Sequence, residues 1–189
     1  RAALMAEVIE PELRKALPAG EPVRVAIVRV NNTSGVSLAD ASVRELRFNG
    51  KSGLENGSDL RQILLPDSVA ADGDEAADRR AADELVAFGP HVIIDAADIS
   101  ARLIRRVEER WPAPRHVRPR YLTSAMSDPR LFALVHERAD LRRRIFGVDT
   151  ANDAAALGKF ALRYNEVYSP KITPAGATSA QIGRASGRE

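Results

Sequence analysis

Two carboxylates, Asp95 and Asp98, stand three residues apart at the end of an apolar run over residues 92–94. Such a pair can serve general acid–base chemistry when one member keeps its proton and the other does not. Asp98 also directly precedes a helical pattern beginning at Ile99, where an aspartate satisfies free backbone N–H groups as a cap. Gly35-Val36-Ser37-Leu38-Ala39 approaches a hydrolase nucleophile elbow, but Ser37 lies seven residues beyond Val30 and not on the turn directly after its strand. Helix capping is the expected role of Ser34 or Ser37. Gly50-Lys51-Ser52 resembles the end of a phosphate loop, yet the leading glycine of that motif would fall on Glu45, and the run follows a helix instead of a strand. No Gly-x-Gly-x-x-Gly follows any strand. His91, His116 and His136 are far apart and read as surface or edge histidines. No catalytic set assembles, so a non-enzyme without metal or cofactor is expected.

Composition narrows the class. The chain has 189 residues, 44% hydrophobic and 29% charged, which is the balance of a globular domain rather than a disordered tail or collagen. Its net charge is +2. Apart from Lys15, Lys51, Lys159 and Lys171 the basic residues are all arginine. The densest cluster, Arg142-Arg143-Arg144, lacks the interleaved aromatics of single-strand binding, so no nucleic-acid partner is expected. With no cysteine, zinc of the Cys type is excluded and the redox compartment is unreadable.

The elements that must position these side chains alternate. A helix is predicted over residues 2–17, ended by Pro18, Gly20 and Pro22, then a buried strand over 23–30 and a polar turn, Asn31-Asn32-Thr33-Ser34-Gly35. Val36, Ala39, Val43 and Leu46 follow at helical spacing. Asn49-Gly50 and Glu55-Asn56-Gly57 close that unit before a short strand over 62–65. Helix 74–88, strand 91–96, helix 99–111, strand 121–124, a helix capped by Asp128-Pro129, strand 145–148 and a long helix over 151–168 complete the series. The order predicts an α/β fold with a doubly wound, open parallel sheet. Ligands of such sheets sit outside the carboxyl ends of the strands. The loops there are 31–35, 66–72, 97–100, 125–128 and 149–152.

The strand Val-Arg-Val-Ala-Ile-Val, its Asn-Asn-Thr-Ser-Gly turn and the helix Leu-Ala-Asp-Ala-Ser-Val-Arg-Glu-Leu resemble the type I periplasmic binding proteins, nearest the Leu/Ile/Val-type receptors of ABC importers. Phe-Gly-Pro-His-Val-Ile-Ile-Asp-Ala-Ala, Pro-Arg-Tyr-Leu-Thr-Ser-Ala and Ile-Phe-Gly-Val-Asp-Thr extend the resemblance in order. It implies two α/β lobes closing on a small solute, an amino acid or similar, which is passed to an ABC permease. It also implies a periplasmic or extracytoplasmic location, with a lipid anchor compatible.

On this reading residues 1–22 end a first lobe and enter the hinge, 23–170 form the second ligand-binding lobe, and 171–180 return through the hinge. Residues 181–189 depart from the family and read as a non-native tail, and the chain as a fragment of a longer gene. The ligand-binding residues expected at the carboxyl edge are Asn32, Asp98 and Ser124, with Asn31, Ala97, Ala125 and Met126 beside them. The alternatives are the ligand-sensing domain of a signalling or transcription regulator with the same fold, or a small α/β enzyme using Asp98 or Ser37.

Overall fold

The computed structural model of the chain describes residues 2–66, 75–96, 101–112, 117–124 and 128–147. The helix expected over 151–168, the return hinge over 171–180 and the tail over 181–189 lie outside the described residues, as does His116.

Met5, Ile9 and Leu13, four residues apart, bury one side of the first helix, α1, residues 2–16. Pro11 lacks an N–H, and in a regular α-helix its ring would press on the carbonyl four residues back. The helix widens ahead of it. It is α over Ala2–Leu4, π over Met5–Ile9 with the Glu10 N–H donating to the Met5 carbonyl, and α again over Glu10–Ala16.

Strand β1, Val25–Val30, leads into helix α2, Thr33–Glu45. The cap of α2 is Asn32 and not the expected Ser34 or Ser37: its side chain accepts from the Gly35 N–H at 2.8 Å, and both serines lie inside the helix. Asn49-Gly50 joins two short strands, β2, Arg47–Phe48, and β3, Lys51–Ser52, which pair antiparallel. Both turn residues have positive φ (55° and 70°), the conformation that lets a two-residue turn match the twist of a hairpin. This hairpin was not foreseen from the sequence.

A 3-10 turn, Leu54–Asp59, leads to β4, Leu60–Leu65, which begins two residues earlier than expected. Helix α3, Glu75–Phe88, ends at Gly89, whose φ of 64° lets its N–H reach the Leu85 carbonyl at 2.8 Å. Then come β5, Val92–Ala96; α4, Ala101–Arg110; β6, Arg120–Thr123; α5, Pro129–Glu137; α6, Ala139–Arg142; and β7, Ile145–Gly147. Asp128 caps α5 as expected, its side chain accepting from Arg130 N–H at 2.8 Å.

The sheet has five strands in the order β4-β1-β5-β6-β7, every pairing parallel. Alternate side chains of a strand point to opposite faces, and both faces are covered. Val25, Ile27, Val92 and Ile94 pack with Met5, Ile9 and Leu13 of α1 and Ala39 and Val43 of α2. Ala26, Val28, Ile93 and Tyr121 pack with Leu85 of α3, Leu103 and Val107 of α4 and Leu134 of α5. The chain is therefore α/β, with helices on both sides of a parallel sheet.

Candidate functional site

From β1 the chain steps outward to β4, then returns across β1 to β5, β6 and β7. The strand order thus reverses between β1 and β5. Connections leaving neighbouring strands in opposite directions open a crevice at their carboxyl ends.

On the β1 side of this crevice stand Asn31 and Asn32, both exposed. Asn31 N–H donates to the Leu65 carbonyl at 3.0 Å, extending the β1–β4 pairing by one step. Asn32 turns the chain into α2. The helix lies so near the strand end that a Cβ on Gly35 would come within 2.5 Å of the Val30 carbonyl oxygen, so no larger residue fits without a shift.

On the β5 side stands Asp95, 0% exposed and next to last in its strand. The pairing Ile94↔Leu122 brings Asp95 beside Thr123, the last residue of β6, on the same face. The Thr123 hydroxyl donates to Asp95 Oδ2 at 2.7 Å. Asp95 is thus held in the core under the sheet rim, and Ser124 follows Thr123 at the rim itself. Of the expected ligand residues, Asn31, Asn32 and Ser124 stand at one edge of the sheet; Ala97, Asp98, Ala125 and Met126 lie outside the described residues. The Asp95–Thr123 pair was not foreseen, because it depends on which strands lie side by side.

Arg29 was also passed over. It is next to last in β1, and the alternation that turns Val25 and Ile27 toward α1 and α2 turns Arg29 the same way. Its neighbours in register are Leu64 and Ala96. Its Nε donates to Gln62 Oε1 at 2.9 Å, while Nη1 is buried with no hydrogen-bond partner. The signal in the sequence is a charge inside an otherwise apolar strand.

Another polar cluster sits at the opposite, amino edge. Glu108 of α4, its side chain fully buried, accepts from Tyr121 Oη at 2.9 Å, from Arg118 Nη1 at 2.8 Å and from Arg144 Nη1 at 2.7 Å, with Arg138 Nη2 at 3.5 Å. Burial pushes the Glu108 carboxyl up, but the Arg144 hydrogen bond and charge, the Tyr121 hydroxyl and the Arg118 charge outweigh it and hold the group below the ordinary glutamate range. Burial first, then the Glu108 charge and hydrogen bond, raise Tyr121 well above the ordinary phenol. The third arginine of the 142–144 cluster is therefore turned inward as a structural cation.

His91 is 4% exposed, against the expectation of a surface or edge residue. Its Nδ1 accepts from the Arg24 N–H at 3.0 Å, which ties the starts of β1 and β5 together. His136 is exposed on α5. Lys51 and Ser52 form a hairpin strand. Ser37 lies on the exposed side of α2. Among the described residues no helix is long and apolar enough to cross a membrane.

No protein-family model, curated protein or solved structure matches the chain.

Proposed function

We propose that this chain is the ligand-binding lobe of a two-lobed receptor that captures an amino-acid-like solute for an ABC permease outside the cytoplasm. The observation that carries this reading is the reversal of strand order between β1 and β5, with Asn31, Asn32 and Ser124 on the rim around it and the Asp95–Thr123 pair buried beneath. That order, with helices on both faces, supports a doubly wound lobe of the periplasmic-binding-protein kind. The sequence resemblance to the Leu/Ile/Val-type receptors points the same way.

Binding on this reading needs no bond-making. The first turn of α2 brings the positive end of a 13-residue helix to the rim, and that end favours the negative part of a solute. Asn31, Asn32 and Ser124 supply neutral donors and acceptors. Closure of a second lobe excludes water and strengthens each of these contacts. A micromolar solute needs about 8 kcal/mol, which on this reading is shared between two lobes.

The test is a thermal-shift screen of the gene product carrying both lobes against amino acids, their amides, short peptides and urea-like solutes. A solute at a hundred times its dissociation constant is expected to add about 2.7 kcal/mol of stability. Residues 1–189 alone are expected to bind the same solute far more weakly. A panel without a single stabilising member overturns the capture reading.

A further inference from the structure

Asparagine is followed by glycine twice in the chain, at Asn49-Gly50 and Asn56-Gly57, and the fold brings the two asparagine side chains together. Asn49 Nδ2 donates to Asn56 Oδ1 at 2.9 Å and to the Val23 carbonyl at 2.9 Å. Asn49 Oδ1 accepts from the Val23 N–H at 2.8 Å and from Arg14 Nη2. Both atoms of this carboxamide are therefore fully engaged. Asn56, 5% exposed, turns its own Nδ2 to the Phe48 carbonyl at 3.1 Å and the Ser52 carbonyl at 2.7 Å. The Asn49 backbone N–H donates to Glu10 Oε1 at 2.8 Å. The result is a clasp that joins α1, the approach to β1, the β2–β3 hairpin and the 3-10 turn.

An asparagine before glycine is prone to lose its amide, because no side chain shields the glycine nitrogen. The Gly50 nitrogen bonds to Asn49 Cγ, the Cγ–Nδ2 bond breaks, and ammonia leaves with the Gly50 N–H proton. Water then opens the five-membered imide at either carbonyl and gives aspartate or isoaspartate. We propose that Asn49 is a conditional modification site, whatever the crevice binds: it deamidates when the clasp opens, and the product keeps the clasp from closing again. To close the imide ring the carboxamide must turn from residue 23 back over its own main chain, which breaks the bonds on both of its atoms. The product has no N–H to give in their place. The Val23 carbonyl and Asn56 Oδ1 then face a carboxylate instead of a donor, with the Glu10 carboxylate close by and Arg14 offsetting one of the two charges. Isoaspartate also adds a carbon to the main chain inside the hairpin turn.

The test follows residues 1–189 in mildly alkaline buffer by peptide mass mapping, which reads the exchange of amide for acid and separates aspartate from isoaspartate. Asn49 is expected to deamidate at least about tenfold more slowly in the folded chain than in guanidinium chloride, as a reaction gated by local opening does. Arg14→Ala releases one hold on Asn49 Oδ1. It is expected to raise the folded-state rate about threefold or more and to leave the rate in guanidinium chloride unchanged. Asn49→Asp reproduces one product and is expected to lower the melting temperature and to speed the deamidation of Asn56, whose Oδ1 has lost its donor.

Equal rates in the folded and unfolded chain overturn the proposal, as does an Asn49 amide that survives in guanidinium chloride. A slower folded-state reaction in Arg14→Ala overturns it as well, because Arg14 then stabilises the charge that develops on Oδ1 and the clasp promotes the loss. Asn49→Asp that melts with the parent also overturns it, since the clasp then closes around the product.

Discussion

The two edges of the sheet both bury carboxylates, but in different company. At the amino edge Glu108 is buried and met by three arginines and a phenol hydroxyl, so that each charge answers another. At the carboxyl edge Asp95 is buried and accepts from the Thr123 hydroxyl, and Asp78 of α3 pairs with Arg102 of α4, one partner to each carboxylate among the described contacts. A carboxylate shared by several cations is held from many sides, whereas one met by a single partner depends on that partner alone. The Glu108 cluster ties α4 to the starts of β6 and β7, and the Asp95–Thr123 pair ties the ends of β5 and β6.

The comparison is broken most directly at its closed end. Glu108→Ala leaves three cations around an apolar cavity and is expected to cost about 3–5 kcal/mol of unfolding free energy, measured by urea denaturation. Its pH signature has a definite sign. The folded carboxyl titrates below its unfolded value, so its contribution is complete above about pH 4.3 and is lost as the pH falls through the lower folded value. Tyr121 is raised, so its contribution is complete below about pH 10 and is lost as the pH climbs beyond that. Glu108→Gln is expected to flatten the acid limb of a stability–pH curve, and Tyr121→Phe the alkaline limb. An acid limb unchanged in Glu108→Gln would remove the distinction between the edges.

Smaller effects sharpen the contrast at the carboxyl edge. Thr123→Val removes the hydroxyl that donates to buried Asp95 and is expected to cost about 1.5–3 kcal/mol in chemical denaturation. Asn32→Ala removes the side-chain cap of α2, for about 1 kcal/mol in the same measurement. Arg29→Gln, which gives up the exposed bond to Gln62, is expected to fall within about 0.5 kcal/mol of the parent. The order of these three is the prediction: hydroxyl, then cap, then cation.

Much of the scaffold was legible in the sequence because it is local. Unbroken apolar residues over 92–94 mark a strand buried on both faces, and Asp128-Pro129 marks a helix start from two adjacent residues. The hairpin was missed although Asn49-Gly50 is a strong turn signal, because strands of two residues leave no alternation to see. His91 reads as an edge residue in sequence and is buried because its ring answers a backbone N–H on another strand, 67 residues away. The partners of Glu108 come from two stretches of the chain, 118–121 and 138–144, and Asp95 meets Thr123 only through strand register. Arg29 was visible as a charge in an apolar run.

The place of β1 in the sheet also bears on how the chain is made. Val25–Val30 is a central strand whose neighbours, Leu60–Leu65 and Val92–Ala96, are both synthesised after it. As the polypeptide leaves the ribosome, this apolar segment has α1 and α2 to shelter one face and no strand to pair with until β4 has emerged. From there growth runs one way: β5 joins the free edge of β1, β6 that of β5 and β7 that of β6. The interval between β1 and β4 is therefore when a nascent chain most exposes a bare strand, and where a chaperone or a neighbouring copy would find it.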